Sequence, residues 1–450
     1  LERYAEGTAV GLHMPGHKGR AFSGAAAPGW STGAERYDIT EIEGADSLYE
    51  AEGIIRESEQ NAGSLFGAET FYSAEGSSLC IRAMLCLVAQ YARERGERPR
   101  IAAGRNAHRV FVGAAALLDM EVEWLLPPGS TYLGCPVTRD AVRDYLSAAH
   151  PLPTAVYLTS PDYTGTLADV RGVAEVCRER GVLLVVDNAH GAYLKFLPES
   201  LHPMDLGADL CCDSAHKTLP ALTGGAYLHI SRKAPDMFRR RAKQALALFG
   251  STSPSYLILA ALDALNPYLA GGFRTELCRM AARLKRMRQA LDEKGLATVG
   301  DEPMKLTLAP RKFGYTGYGL AAYLSARGMV AEYADPDVTV LMPSVRTGDG
   351  ELERLEAALL SLPRRAPLCG EPPAVSLPVR VMSPREALLD PEELLPVGQC
   401  VGRVAASVTV GCPPAVPVVA PGERIDDAAI RCFDYYGIRQ CAVVREHWQE

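Results

Sequence analysis

Apolar positions divide much of the chain into short apolar runs separated by longer segments with helical spacing. Residues 182–186 form a continuous apolar run, which is typical of a strand buried on both faces of a sheet. Similar runs predict strands at 122–126, 155–159, 182–187, 208–212 and 225–230. The segments between them predict helices at about 53–66, 78–95, 138–149 and 169–180. Strands and helices that alternate at this spacing predict an α/β fold, with a mostly parallel sheet covered by helices on both faces.

The pattern changes after about residue 272. Apolar residues with the three- and four-residue spacing of a helix follow at Phe273, Leu277, Met280, Leu284, Met287 and Leu291. Residues 304–360 read as strand, helix, strand and helix, and residues 361–378 contain five prolines. The remaining segment predicts short strands and one helix. We therefore predict four parts, namely an N-terminal arm at 1–52, a large domain at 53–272, a small α/β domain at 273–362 and a C-terminal subdomain at 363–450.

Charge and hydropathy exclude several classes of protein. The 450 residues contain 47 Lys and Arg against 54 Asp and Glu, a formal net charge of −7, and this balance does not favour a nucleic-acid partner. The basic segment 239–243 lies in a helical pattern, and we expect it to be a solvated helix face. No apolar stretch reaches the roughly 18 residues that indicate a membrane span, so we expect no membrane partner.

The cysteines and the first residues bear on metal binding and location. The twelve cysteines include no Cys-x-x-Cys pair and no Cys/His spacing typical of a metal site, so we expect no metal. Most of them lie in apolar segments, which suits buried thiols in a reducing cytoplasm. The chain begins at Leu1 and shows no apolar signal-peptide segment. We expect a trimmed start and a cytoplasmic protein.

Two residues with useful chemistry follow neighbouring predicted strands. Asp187 ends the strand 182–187, and Lys217 follows the strand 208–212. Because ligands of α/β sheets bind outside the carboxyl ends of the strands, two consecutive parallel strands would bring both side chains to one edge. A lysine that forms a Schiff base and a carboxylate that keeps a pyridine nitrogen protonated are what pyridoxal phosphate requires. Taken alone, a lysine at a sheet edge is more often a surface cation.

Two further segments fit the same edge, although each also has an ordinary structural explanation. Gly76, Ser77 and Ser78 precede an apolar helix, where glycine lets the backbone approach an anion and serines donate hydroxyls at the positive helix end. The alternative is a plain serine N-cap. His108 opens another predicted helix, and its imidazole could lie flat on a pyridine ring. The alternative is a half-buried histidine without a ligand.

Many short motifs, in their order and spacing, carry a family resemblance. The chain resembles the short bacterial form of the ornithine/lysine/arginine decarboxylases, which use pyridoxal phosphate on an aspartate-aminotransferase type of fold. The matching segments lie at 13–19, 38–41, 46–48, 76–78, 105–108, 160–165, 186–192, 214–219, 251–256, 384–387, 402–403 and 421–423. Together they extend over about residues 10–430. No single motif is specific, but their combined order is.

The resemblance implies a role for residues around the predicted sheet edge. It makes Lys217 the Schiff-base lysine, Asp187 the partner of the pyridine nitrogen and His108 the residue that stacks on the ring. The implied catalytic set is Lys217, Asp187, His108 and His216. The implied cofactor-binding residues are Gly76, Ser77, Ser78, His108, Asp187, Ala189, His190, Ser214, His216, Lys217, Ser251 and Thr252.

The resemblance also implies an assembly. In such enzymes a hydroxyl from the second subunit often reaches the phosphate, and here that hydroxyl would belong to Ser251 or Thr252. We therefore expect a homodimer or a dimer of dimers with shared active sites. The structural alternative is that the hydroxyls of residues 251–253 cap the helix that starts near Ser255.

Three positions depart from the family pattern. Asn188 stands where the family has Glu. Glu75 opens a phosphate loop that usually reads Asn-Gly-Thr-Ser or Asn-Gly-Thr-Thr, and it brings a negative charge to the expected phosphate unless it points away. The late loop, usually Tyr-Pro-Pro-Gly-Ile-Pro, here reads Gly-Cys-Pro-Pro-Ala-Val-Pro at 411–417.

The predicted reaction is decarboxylation of arginine, lysine or ornithine to a polyamine or polyamine precursor. Lys217 or His216 would return a proton to Cα after CO₂ leaves. Glu41 and Asp46 are candidates for pairing the distal cation of the amino-acid substrate, unless they are ordinary loop charges.

Two alternatives stay open. An aminotransferase or another lyase on the same fold would need an arginine for the α-carboxylate, and Arg346 or Arg385 could serve. The second alternative is a protein that binds the cofactor without catalysis, and the unusual Glu75 and Asn188 suggest it.

Overall fold

The largest sheet of the computed structural model forms the centre of the molecule. The structure describes residues 6, 14–15, 17–18, 33–407 and 416–446. The sheet has seven strands: β1 (Glu69–Ser73), β2 (Arg100–Gly104), β3 (Glu121–Leu125), β4 (Ala155–Thr159), β5 (Leu183–Asp187), β6 (Leu210–Asp213) and β7 (Ala226–Ile230). Their order is β1-β7-β6-β5-β4-β2-β3. Only β7 runs against its neighbours, so the prediction of a mostly parallel sheet is confirmed.

The predicted strands correspond to β3, β4, β5, β6 and β7, whereas β1 and β2 were missed. The sequence Glu-Thr-Phe-Tyr-Ser of β1 and the sequence Arg-Ile-Ala-Ala-Gly of β2 lack a long run of large apolar residues. Their burial comes from neighbouring strands and helices, and local periodicity does not report such burial.

Fourteen α-helices surround the sheets within the described residues. They are α1 (Ile54–Phe66), α2 (Gly76–Glu94), α3 (Arg109–Leu117), α4 (Arg139–Ala148), α5 (Val170–Arg180), α6 (Pro203–Leu206), α7 (Ala215–Thr218), α8 (Asp236–Ala247), α9 (Tyr256–Ala270), α10 (Phe273–Lys294), α11 (Gly317–Ser325), α12 (Asp349–Ser361), α13 (Pro384–Leu389) and α14 (Asp427–Tyr436). The predicted helices correspond to α1, α2, α4, α5 and α10. None of the helices in the described ranges has the length and apolar character needed to cross a bilayer.

Two smaller sheets follow the large one along the chain. The first has the order β10-β11-β9-β8, and the second pairs β12 with β13. Their strands are β8 (Thr298–Val299), β9 (Leu306–Leu308), β10 (Tyr333–Ala334), β11 (Thr339–Leu341), β12 (Glu392–Pro396) and β13 (Gln440–Val444). The prediction of one helix after residue 379 was wrong, because both α13 and α14 form. Ser383 caps α13 and Glu386 reaches back to it, a capping box that the prediction overlooked.

The C-terminal region shares a hydrophobic core with the large sheet. Val397, Phe433 and Val443 pack in one buried cluster with Val156 and Leu184 of the sheet. The region from about 363 onward is therefore held against the large domain by apolar contact.

The basic segment 239–243 matches the predicted solvated face only in part. Arg239 and Arg240 pair with Asp236 at the surface. The prediction was wrong for Lys243, whose Nζ donates to Glu59 Oε1 at 2.5 Å and to the Leu48 carbonyl at 2.6 Å. Glu59 is 5 % exposed, and a buried carboxylate needs such a cation.

Candidate active site

Asp187 lies at the carboxyl end of β5, buried with 2 % exposure. The hydroxyl of Tyr157 donates to Oδ2 at 3.2 Å, and the amide of Ala189 donates to Oδ1 at 3.1 Å. The thiol of Cys212, opposite Asp187 on β6, lies 3.6 Å from Oδ1. These donors are neutral, so the carboxylate retains capacity for a stronger N–H partner.

Lys217 lies in α7, which follows β6 at the same edge of the sheet. Its Nζ is 3.2 Å from Nε2 of His190. Both side chains line the same cleft. The other lining residues are Tyr193, Thr218, Glu302, Met304, Lys305, Met342 and Pro343. The structure thus places the predicted lysine and aspartate at one sheet edge, with a cleft beside the lysine.

The N-terminus of α2 gathers several of the predicted phosphate-binding residues. Gly76 has a φ of +71°, which favours glycine, and Ser78 lies in the first helical turn. Ser214 Oγ donates to Ser77 Oγ at 2.8 Å, and Nδ1 of His216 lies 3.0 Å from the Gly225 carbonyl. No side chain caps the N-terminus of α2. The Gly76 N–H donates to the Gly224 carbonyl, and the next N–H groups of the first turn can donate to an anion.

Glu75 does not point at this helix end. Its Oε1 accepts a hydrogen bond from the Ser251 amide of the same chain at 2.6 Å. The segment 249–256 therefore lies beside its own phosphate loop. Ser255, the N-cap residue of α9, forms no side-chain cap hydrogen bond, which disfavours capping by this serine.

His108 is the N-cap residue of α3, and its Nδ1 accepts from the Val110 amide at 3.3 Å. Burial lowers the pKa of His108; Asp187 opposes this shift, and Lys217 adds to it. Asp187 and Lys217 therefore lie close enough to the His108 ring to act on it electrostatically, although His108 is an exposed residue.

A buried ion pair missed by sequence reasoning holds the segment before His108. The Arg105 guanidinium donates two hydrogen bonds to Glu423, at 2.6 and 2.7 Å. Their side chains are 0 % and 3 % exposed, and Arg105 also lies over the Trp124 ring. The two residues are 318 positions apart, so no local pattern could have paired them.

Asn188, the unusual residue after Asp187, belongs to a buried network centred on Asp213. Its Nδ2 donates to Asp213 Oδ1 at 2.6 Å, and Nε2 of both His202 and His229 lies within 3.1 Å of Oδ2. The Nδ1 atoms of the two histidines face the Met204 amide and the Thr70 hydroxyl, which suits neutral rings that donate from Nε2. Burial acts to raise the pKa of Asp213, but the two histidines outweigh it and hold that pKa well below its ordinary value.

The same network contains one group of potential metal ligands. Ligand atoms of His202, Cys211 and Asp213 lie within 4.8 Å of one another. The hydrogen bonds of Asp213 already satisfy both of its oxygens, so this group is explained without an ion.

The structure does not bring the three predicted substrate residues to the cleft at Lys217. Asp46 instead accepts from the amides of Gly53 and Ile55 at the start of α1. Glu41 accepts from the hydroxyl of Ser47. Arg385 donates to the Ala116 and Leu117 carbonyls at the end of α3. Of the rival arginines, Arg346 pairs with Glu276 at 3.8 Å.

Glu302 and Lys305 line the cleft instead, and sequence reasoning missed both. Glu302 is 2 % and Lys305 4 % exposed. Burial raises the pKa of Glu302 to about 7, and the Tyr193 hydroxyl donates to its carboxylate. The available signal for Lys305 was its position directly before β9, a strand whose residues are buried. A lysine at such a position is expected to have a partner, since lysine is rarely buried without one. In the late loop, residues 411–415 lie outside the described residues, as do residues 13, 16 and 19 of the first motif.

The sheet, with its aspartate and lysine at one edge, belongs to the type I fold of pyridoxal-phosphate enzymes. Lysine decarboxylase A from Pseudomonas aeruginosa superimposes with a TM-score of 0.79, covering 99 % of this chain and 79 % of that chain at 19 % identity. This likeness shows the fold over nearly the whole chain.

Family models assign the chain more narrowly. The model "Orn/Lys/Arg decarboxylase, major domain" matches residues 1–298, and the model of the C-terminal domain matches residues 373–443. The chain belongs to the Orn/Lys/Arg decarboxylase family. It is 29 % identical to an arginine decarboxylase of Halalkalibacterium halodurans, over 94 % of this chain and 90 % of the relative. It is 27 % identical to an arginine decarboxylase of Bacillus subtilis, over 96 % and 91 %.

Proposed function

We propose that this chain decarboxylates a basic amino acid with pyridoxal phosphate as its cofactor. The observation that carries the proposal is the placement of buried Asp187 and of Lys217 at the carboxyl ends of neighbouring parallel strands. Family membership supports the reaction class. Arginine is the first candidate substrate, because the relatives from H. halodurans and B. subtilis carry that name. The product would be a polyamine or a polyamine precursor.

The residues at the site fit pyridoxal phosphate. Asp187, with neutral donors only, would accept from the pyridine nitrogen. The uncapped N-terminus of α2 and the hydroxyls of Ser77 and Ser214 would hold the phosphate. Lys217 would attach the cofactor, and His108 would lie against its ring.

Each side chain then has a defined task. When bound, pyridoxal phosphate supplies an electron sink for the electron pair released as CO₂ leaves. Asp187 would keep a proton on the pyridine nitrogen, because a buried carboxylate stabilises the adjacent cation. Lys217 would return the proton to Cα, because His190 lies next to its Nζ and can exchange a proton with it. His216 is the weaker candidate, because its Nδ1 is held at the Gly225 carbonyl.

The test is a CO₂-release assay with arginine, lysine, ornithine and a neutral amino acid such as leucine. We expect CO₂ in a 1:1 ratio to amine from one basic substrate, and none from the Lys217→Ala variant. Borohydride should fix pyridoxal phosphate on Lys217 in peptide maps. Amino transfer without CO₂, or an adduct on another lysine, would contradict the proposal.

We further propose a homodimer, or a dimer of dimers, in which Ser251 or Thr252 reaches the partner's phosphate. The support is the family resemblance. Within one chain the Ser251 amide donates to Glu75 beside its own phosphate loop, so the contact with the partner's phosphate rests on that resemblance. The nine cysteines that are buried among the described residues support a location in a reducing cytoplasm.

Mixing two defective variants tests the shared site. Lys217→Ala and the double variant Ser251→Ala with Thr252→Ala should each be poorly active. In mixed dimers with shared sites, one site collects both defects and the other is intact, so activity returns. A monomer by sedimentation, or no recovery after proven subunit exchange, would refute the shared site.

A further inference from the structure

Lys305 has three hydrogen-bond partners around its Nζ atom. The carbonyl oxygens of Asp162 and Tyr163 lie at 3.0 and 3.1 Å, and Nδ1 of His190 lies at 3.3 Å. The other nitrogen of the same ring, Nε2, lies 3.2 Å from Nζ of Lys217. One buried imidazole therefore bridges two lysines.

Hydrogen-bond counting limits the protons that this bridge can hold. A neutral imidazole has one N–H donor and one acceptor nitrogen, whereas an ammonium group only donates. The lysine that faces the ring N–H must therefore accept, and only an uncharged amine can accept. Burial lowers the pKa of His190 well below its ordinary value, and the charge of a neighbouring lysine acts in the same direction. The ring is therefore neutral, and when both of its contacts are hydrogen bonds, one of the two lysines must be the uncharged partner.

We propose that Lys217, His190 and Lys305 form a proton relay in which Lys305 stores the proton and Lys217 is left as a free amine. In the transfer, the Lys217 ammonium gives a proton to Nε2 of His190, and the proton on Nδ1 moves to the uncharged amine of Lys305. At each step one N–H bond breaks and another forms, so the positive charge moves from Lys217 to Lys305. The relay uses no other reactant.

The surroundings favour the proton on Lys305. Its ammonium donates to two carbonyl oxygens besides the ring, and charged donors form the stronger hydrogen bonds. Burial lowers the pKa of Lys305 and a charge on Lys217 adds to this shift, which Glu302 and Asp162 oppose only in part. The contacts that favour a proton on Lys305 are therefore the two carbonyl oxygens and the Tyr163 ring, whose centre lies 5.8 Å from Nζ. A free amine on Lys217 is the form that attaches a carbonyl cofactor; this role rests on the proposed function.

The test is competitive acetylation of the full, cofactor-free chain with acetic anhydride from pH 6 to pH 10. Labelling of Lys217 is read by peptide mapping. In Lys305→Met no second amine can take the proton from Lys217. We therefore expect acetylation of Lys217 at pH 7.5 to fall roughly five- to tenfold, while the acetylation level reached at pH 10 stays unchanged. The unchanged plateau shows that access to Lys217 is preserved. Lys305→Gln serves if the Met variant does not fold.

Three controls separate the relay from a structural role. Lys305→Arg keeps a permanent charge and should keep Lys217 reactive. Lys243→Met removes another buried lysine away from His190 and should leave the Lys217 profile unchanged. In a His190→Gln background, Lys305→Met should change labelling less than twofold.

Two results would overturn the relay. The first is a wild-type Lys217 profile in both Lys305→Met and Lys305→Gln. The second is an equal effect of Lys305→Met with and without His190, which would show action through space. Because labelling requires no turnover, it is independent of the CO₂ assay, and the two proposals fail separately.

Discussion

Two buried aspartates end neighbouring strands of the large sheet, Asp187 on β5 and Asp213 on β6, and their surroundings differ. Asp213 accepts hydrogen bonds from the side chains of Asn188, His202 and His229, at 2.6, 2.9 and 3.1 Å. Asp187 accepts from the Tyr157 hydroxyl and the Ala189 amide, at 3.2 and 3.1 Å. Both are almost completely buried, with 2 % exposure for Asp187 and 0 % for Asp213.

The comparison separates a carboxylate whose hydrogen-bond donors all come from the protein side chains around it from one that, in the proposed function, gains a further donor from the cofactor. Burying a charge costs free energy unless hydrogen bonds compensate for the lost water. At Asp213 the protein itself supplies strong N–H donors. At Asp187 the donors are fewer and weaker, so a protonated ring nitrogen would complete the compensation.

The largest effect is expected on stability when Asp213 is removed. Asp213→Ala leaves three buried N–H groups without their acceptor, and breaking a buried charged network costs about 3–5 kcal/mol in the free energy of unfolding. Urea unfolding measures this loss. The exposed Asp236→Ala is the control, and we expect it to change stability little, because exposed ion pairs contribute little. A loss for Asp213→Ala as small as that of the control would contradict the structural role.

Removing Asp187 should affect catalysis more than folding. Preorganised electrostatic partners are commonly worth about 3 kcal/mol in the transition state, so Asp187→Ala should lower turnover at least roughly 100-fold. Unfolding by urea should change less than in Asp213→Ala, because Asp187 has fewer hydrogen bonds to lose. Near-normal CO₂ release would show that another group supports the ring nitrogen.

Exchanging acid and amide between positions 188 and 213 sharpens the comparison further. Asn188→Asp alone sets two buried carboxylates against each other, and Asp213→Asn alone removes the charge that the histidines face. The double variant restores one acid and one amide, with the amide still able to accept from both histidines. We expect the pair to recover about 1–3 kcal/mol relative to the sum of the single variants. Additive losses would show that the two positions act independently.

The smallest effect is a pH dependence that belongs to the Asp213 network. Burial lowers the pKa of His229, which Asp213 only partly opposes, so the folded state holds this ring neutral. Below about pH 6.5 a histidine in the unfolded chain takes up a proton, whereas the buried histidine of the folded chain stays neutral. The free energy of unfolding therefore falls as the pH falls, by at most about 1.4 kcal/mol per pH unit for each such group. His190 acts in the same direction. Asp213, whose pKa is depressed, adds a further loss below about pH 4.

Urea midpoints at pH 7.5 and pH 5.5 measure the histidine part. His229→Gln should reduce the difference between the two midpoints, and an unchanged difference would place the effect elsewhere.

The edge of the sheet could be predicted from sequence, whereas the cleft could not. A continuous apolar run located β5 and hence Asp187, and the next strand located Lys217, because burial on both faces of a sheet leaves a local pattern. Glu302 and Lys305 reach the cleft from the connection between β8 and β9 of a different sheet, and such contacts leave no periodic signal. The substrate residues expected in the arm do not line the cleft of their own chain. Asp46 accepts hydrogen bonds from amides at the start of α1, and only the folded chain shows that.

The Arg105–Glu423 pair has a consequence for synthesis of the chain. The two partners are 318 residues apart, so at about 5–20 residues per second the ribosome makes Arg105 roughly 15–60 s before Glu423. During that time the Arg105 guanidinium lacks the Glu423 carboxylate with which it pairs in the folded chain. A nascent chain or a fragment that stops before residue 423 would therefore contain Lys217 and Asp187 but lack the ion pair that holds the segment before His108. The site can be completed only when nearly the whole polypeptide has been made.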